Sequence, residues 1–148
     1  IQMVLSARGV RVDQPTIVRR TFGTLLDRPA APGDIEKHLS GWFESRNGRT
    51  FLTASTVPGS PKPGLLYAYL RGRMPVILAF NIPGASVGHA VVVTAAVFKK
   101  TPDGLVVREV VIRDPSPEFA SSNGKRTLSA AEFNNTFAYV LVDVVSTK

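Results

Sequence analysis

The stretch Gly88-His89-Ala90-Val91-Val92-Val93-Thr94, read together with Ile112-Arg113-Asp114-Pro115, decides the fold. In the first, a lone histidine opens a run of β-branched residues. Between the two lies Lys99-Lys100-Thr101-Pro102-Asp103-Gly104, where proline can set the first central position of a turn and glycine supplies the exit. The apolar runs on either side therefore predict two antiparallel strands of one hairpin. Two registers are open. Folding about the middle of residues 99–104 sets His89 opposite Asp114; folding about Pro102 and Asp103 sets Asp114 opposite Val91. In both, imidazole and carboxylate lie at the same end of the strand pair, although a bulge would shift the pairing and flip a face. Such a carboxylate accepts from one ring nitrogen and leaves the other to take a proton. His89 and Asp114 are thus the candidate site residues, and the pair lacks a nucleophile.

The chain has 148 residues, of which 44% are hydrophobic. That is the size of one ordinary domain with a real core, and the reading is a single domain over residues 1–148. No apolar run approaches the roughly 18 residues of a membrane span. Ile1-Gln2-Met3-Val4-Leu5 has neither the basic start nor the cleavage site of a secretory signal. The absence of cysteine excludes disulfides and thiolate metal ligands within the chain. His38 and His89, without clustered carboxylates, give no zinc-ligand spacing, and no cofactor is expected. The formal charge of +7 would suit an anionic partner. The basic residues are scattered, however, in short groups such as Arg19-Arg20, Lys99-Lys100 and Lys125-Arg126. Without interleaved aromatics they read as a solvated basic surface rather than a nucleic-acid site.

Outward from the hairpin, the order is helices first and strands later, which predicts an α+β fold. Gln2 to Ala7 reads as a helix already under way that stops at Gly9. Val4 and Leu5 would lack packing partners if a preceding segment were absent. Asp13 can cap a second helix with Pro15 in its first turn. Asp34 can cap a third, in which Ile35, Leu39, Trp42 and Phe43 share one stripe and Trp42 is a core anchor. Residues 49–55 predict a short strand, residues 65–70 a helix, and residues 76–80 a strand opened by Pro75. Residues 115–127 read as polar and irregular. Ser129-Ala130-Ala131-Glu132 is a capping box, and residues 139–145 form the last strand.

Four segments taken together, residues 1–9, Arg71-Gly72-Arg73-Met74-Pro75-Val76-Ile77, Gly88-His89-Ala90-Val91-Val92-Val93 and Asp114-Pro115, resemble bacterial papain-like cysteine peptidases. The resemblance is to the group of the bacteriocin-leader-cleaving enzymes and the plant-pathogen avirulence proteases. It implies a papain-like α+β fold, with N-terminal helices packed on an antiparallel sheet, and peptide-bond hydrolysis through a Cys-His-Asp triad. It implies that His89 is the general base and Asp114 the residue that orients it. In that family a Cys-Trp-Ala-Ala-Ser type segment begins the central helix, which would place the nucleophile just upstream of Ile1. The oxyanion glutamine would lie further upstream still, so Gln2 does not take that role. The chain is accordingly read as N-terminally incomplete and inactive alone, with a peptide or protein as substrate and the Cys-bearing segment as a further partner.

Plainer readings stand beside these. His89 can be a structural histidine at a strand start, and Asp114-Pro115 a turn initiator. Gly88 can simply let the backbone bend, and His38 reads as an exposed helical residue. Ser86, Ser116 and Ser121 are the serines nearest the pair, but none sits in a Gly-x-Ser-x-Gly elbow. Two other functions remain: a non-catalytic papain-like domain holding a peptide or protein in its cleft, and a basic binder of nucleic acid or an anionic surface, whose affinity would fall steeply with salt.

Overall fold

The computed structural model describes residues 1–7, 9–25, 30–45, 48–82, 84 and 88–147. The chain forms two compact units, Ile1–Thr56 with Val140–Lys148, and Val57–Tyr139. Seven strands make one sheet in the order β1-β2-β7-β3-β4-β5-β6. They are β1 (Gly41–Ser45), β2 (Gly48–Pro58), β3 (Val76–Asn81), β4 (Gly88–Thr101), β5 (Gly104–Arg113), β6 (Lys125–Thr127) and β7 (Thr136–Thr147). Strands β2 and β7 each contribute residues to both units.

This architecture corrects the expected papain-like α+β arrangement of N-terminal helices packed on a sheet. The chain is sheet-rich and antiparallel. Among the described residues its longest strand has 14 residues, while no α-helix exceeds nine. The clearest departure is at Trp42 and Phe43, which belong to β1 and not to a helix. Their spacing from Ile35 and Leu39 fits a helical stripe, but Ser40 and Gly41 end the helix. Gly41 adopts φ 123°, which no helix contains. Trp42 then pairs with Phe51 and Phe43 with Thr50 across an antiparallel hairpin.

In the first unit, α1 (Gln2–Ala7), α2 (Gln14–Phe22) and α3 (Pro32–Leu39) precede that hairpin. Val4 and Leu5 are buried, contrary to the expectation that they lack partners. Asp13 caps α2 by accepting from the Thr16 N–H at 2.7 Å. Gly23, at φ 76°, closes the helix with its N–H on the Arg19 carbonyl. Asp34 acts from inside the first turn of α3, where its carboxylate accepts from the Ala31 N–H at 3.0 Å. Glu36 ties α3 to β2 by accepting from the Thr56 N–H at 2.6 Å. His38 is buried, not exposed, and its Nε2 has no hydrogen-bond partner among the described residues.

In the second unit, α4 (Pro63–Arg71) lies against β3, β4 and β5, and buries Leu66. Strands β3 to β6 form an antiparallel meander. β3 reads Val76-Ile77-Leu78-Ala79-Phe80, all buried, the pattern of a strand covered on both faces. The segment expected to be irregular holds a 3-10 turn (Pro117–Ser122) and the short β6. Helix α5 (Ala130–Asn134) carries the full capping box, with Ser129 Oγ accepting from the Glu132 N–H at 3.2 Å and Glu132 accepting from the Ser129 N–H at 2.8 Å.

Candidate functional site

The hairpin of β4 and β5 folds about Pro102 and Asp103, with Thr101 paired to Gly104. Of the two registers, this is the one that leads Asp114 towards Val91. Two irregularities intervene. Arg108 is left unpaired between Val107 and Glu109, and Thr94 between Val93 and Ala95. Each bulge shifts the pairing by one residue, in opposite senses, so the register at the base, Val92 to Arg113, equals that at the tip. Continued one step, it brings Asp114 beside Val91. His89, two residues further along β4, then lies on the same face as a diagonal neighbour, within reach of a carboxylate. A single bulge would have turned Asp114 to the other face.

The two candidate residues meet. His89 Nε2 lies 2.7 Å from Asp114 Oδ1. Burial alone would raise the Asp114 pKa. The Ser116 N–H, His89 and Arg126 outweigh it and hold the carboxyl below its ordinary range. The carboxylate is therefore ionised at neutral pH and can only accept. It follows that Nε2 carries the proton and donates it, and that in the neutral ring Nδ1 bears the lone pair. The Asp114 side chain is 1% exposed and that of His89 23%. The orienting group is thus sealed while the imidazole meets solvent. Phe80 packs edge-on to the ring, with centroids 5.5 Å apart, and pairs with His89 across β3 and β4.

Asp114 is fixed by the chain that follows it. Its N–H donates to the Gly124 carbonyl at 2.7 Å, so residues 114–124 close a loop on themselves. Gly124 has φ 72°, and a Cβ there would run into the Asp114 carbonyl oxygen. The Ser116 N–H donates to Oδ1 at 2.9 Å, and Arg126 Nε donates to Oδ2 at 2.8 Å. Arg126 also forks onto Glu132, at 3.0 and 2.7 Å, with its guanidinium 4.9 Å from the Phe119 ring centroid. The Arg126 bond, offset in part by burial, lowers the Glu132 pKa to about 2. The sequence is therefore a chain of alternating partners: His89, Asp114, Arg126, Glu132. Gly88 is also explained by contact, because a Cβ there would come within 2.8 Å of the Phe137 ring.

Reasoning from sequence missed Arg126, which reads as half of a scattered basic pair, and saw Glu132 only as a helix cap. A signal was present: β6 runs almost directly into the capping box, which keeps the two residues close. Of the serines weighed as nucleophiles, Ser116 contributes its backbone N–H, Ser121 is exposed in the 3-10 turn, and Ser86 lies outside the described residues. Among the described residues, no three His, Cys, Asp or Glu side chains gather to hold a metal ion. None of the described helices is long and apolar enough to cross a membrane.

The geometry can thus orient an imidazole through a buried carboxylate and leave Nδ1 as its acceptor nitrogen. It cannot by itself supply a thiol, since the 148 residues contain no cysteine. Compared with known proteins, the sequence matches no family model and no curated protein.

Proposed function

We propose that this chain carries the base-and-orienter half of a cysteine-peptidase site, with the thiol supplied from outside these 148 residues. The observation that supports the reading is the 2.7 Å contact of His89 Nε2 with a buried, ionised Asp114, which leaves Nδ1 as the acceptor. In the reaction, Nδ1 takes the thiol proton, and the resulting thiolate attacks a peptide carbonyl. The imidazolium then returns the proton to the leaving amine, and water releases the thioester. Asp114 holds the ring in the required tautomer and stabilises its charge while it lasts. Arg126 keeps Asp114 ionised and aimed, and Glu132 balances the charge of Arg126.

The test uses the product of the natural reading frame, including any codons upstream of Ile1, against a peptide library. Hydrolysis that is abolished both by iodoacetamide and by His89→Ala supports the reading. Hydrolysis that survives His89→Ala, or cleavage by the cysteine-free 148-residue chain alone, overturns it. A structural reading has its own support, because the buried Asp114 carboxylate accepts from three partners. On that view His89→Gln lowers stability and leaves every activity of the protein unchanged.

A further inference from the structure

The first unit carries an open pocket of about 430 Å³, lined among the described residues by side chains between Leu5 and Glu44. Small-molecule sites commonly have volumes of about 300–1,000 Å³. The apolar part of the wall includes Ile17 and Phe43, both buried, and Trp42, half-buried. Four charged side chains also line it: Arg11, Asp13, Arg20 and Glu44. The carboxylates are engaged already. Asp13 caps α2 through the Thr16 N–H at 2.7 Å, and Glu44 lies 3.3 Å from Arg49. The guanidiniums are not neutralised. Among the described residues neither Arg11 nor Arg20 forms an ion pair, and Arg20 lies 4.6 Å over the Phe43 ring. His38, on the same wall, is held neutral by its burial and then by Lys37 and Arg20, so it adds no further cation.

An apolar wall lined also by two guanidiniums that form no ion pair among the described residues is complementary to an apolar group bearing one negative charge. The nearby Asp13 and Glu44 disfavour a dianion such as phosphate. We propose that the first unit binds a small apolar carboxylate, with its apolar group against Ile17 and Phe43 and its carboxylate on Arg11 and Arg20. A free aromatic or branched-chain acid and the C-terminal residue of a peptide share this chemistry. The proposal is independent of the His89 site.

Trp42 is the only tryptophan in the chain, so its emission reports on this pocket. The 148-residue chain is titrated with N-acetyl-phenylalanine, with its amide, and with Ala-Ala-Phe. The acid should produce a saturable change, and the amide should bind about tenfold or more weakly, as expected when a charge-assisted contact is lost. Arg11→Gln and Arg20→Gln should each weaken the acid by about the same factor and leave the amide unaffected. Arg11 is exposed and makes no hydrogen bond or ion pair among the described residues, so its variant retains the fold even if loss of Arg20 from Phe43 disturbs it. Tighter binding of Ala-Ala-Phe assigns the site to a peptide C-terminus, and equal binding assigns it to a free acid. No saturable change, equal affinity for acid and amide, or unchanged binding in Arg11→Gln overturns the proposal.

Discussion

Replacing Arg126 with glutamine removes one cation from between two carboxylates, and its cost can be worked from the structure. The Glu132 pKa falls from an ordinary 4.5 to about 2. At about 1.4 kcal/mol for each pKa unit, that corresponds to about 3 kcal/mol. Ser129 supplies part of that shift and the Glu132 side chain is 26% exposed, so the share of Arg126 is about 2 kcal/mol. Asp114 is sealed from solvent but keeps His89 and the Ser116 N–H, so it loses one charge-assisted bond, worth about 1.5–3 kcal/mol. Glutamine retains the apolar stem and one donor, which places the expected loss near the low end, about 3 kcal/mol.

The pH dependence follows from the signs. Both carboxyls have folded-state pKa values below their ordinary ones. Their contribution is therefore present above the ordinary carboxylate range and is lost as pH falls through the folded values. Urea unfolding of wild type and Arg126→Gln should show the full gap at pH 7, with an unchanged m-value. The gap should narrow between pH 4.5 and about 2, where Glu132 takes up its proton. A gap below about 1 kcal/mol at pH 7, the value of an exposed surface pair, would refute the reasoning. So would a gap that stays constant down to the acid limit.

Asp114→Asn keeps the shape but not the acceptors. In one orientation its amide nitrogen faces Arg126 and in the other the Ser116 N–H, so two donors always meet, and urea unfolding should show a loss of about 2–4 kcal/mol. Gly124→Ala places a Cβ against the Asp114 carbonyl at positive φ and should cost about 1–3 kcal/mol in thermal unfolding. The same variant should move the His89 ring resonances; an unshifted spectrum would show that the loop does not position the carboxylate. Ser129→Ala removes the α5 cap and should cost about 1 kcal/mol. Stability within about 0.3 kcal/mol of wild type, less than even the weakest caps contribute, would argue that Arg126 alone holds Glu132.

The parts of this molecule that are legible in the sequence are those set by neighbours along the chain. Asp13 and Ser129 announce their helices because a cap acts over three residues. Pro102-Asp103-Gly104 announces its turn for the same reason. Trp42 and Phe43 mislead because two apolar residues after Ile35 and Leu39 satisfy a helical period and a strand equally well. Gly41 is the local evidence against the helix, and the cross-strand partner Phe51 decides the matter. Arg126 is illegible for a different reason: a long side chain chooses its partner in space, and Asp114 is twelve residues away.

The His89–Asp114 pair lies between these cases. Its register is readable from the turn only because the bulges at Thr94 and Arg108 cancel, and no residue in the sequence announces either of them. Both bulges lie beyond Val93, towards the tip. From Gly88 to Val93, β4 pairs with β3 without any irregularity, so β3 sets the place of His89. The loop from Asp114 to Gly124, together with Arg126, sets the place of the carboxylate. The turn brings the two strands together, but the pair itself depends on supports at the base of the hairpin. Changes confined to residues 97–106 should therefore leave the 2.7 Å contact intact, whereas a single added carbon at Gly124 should not.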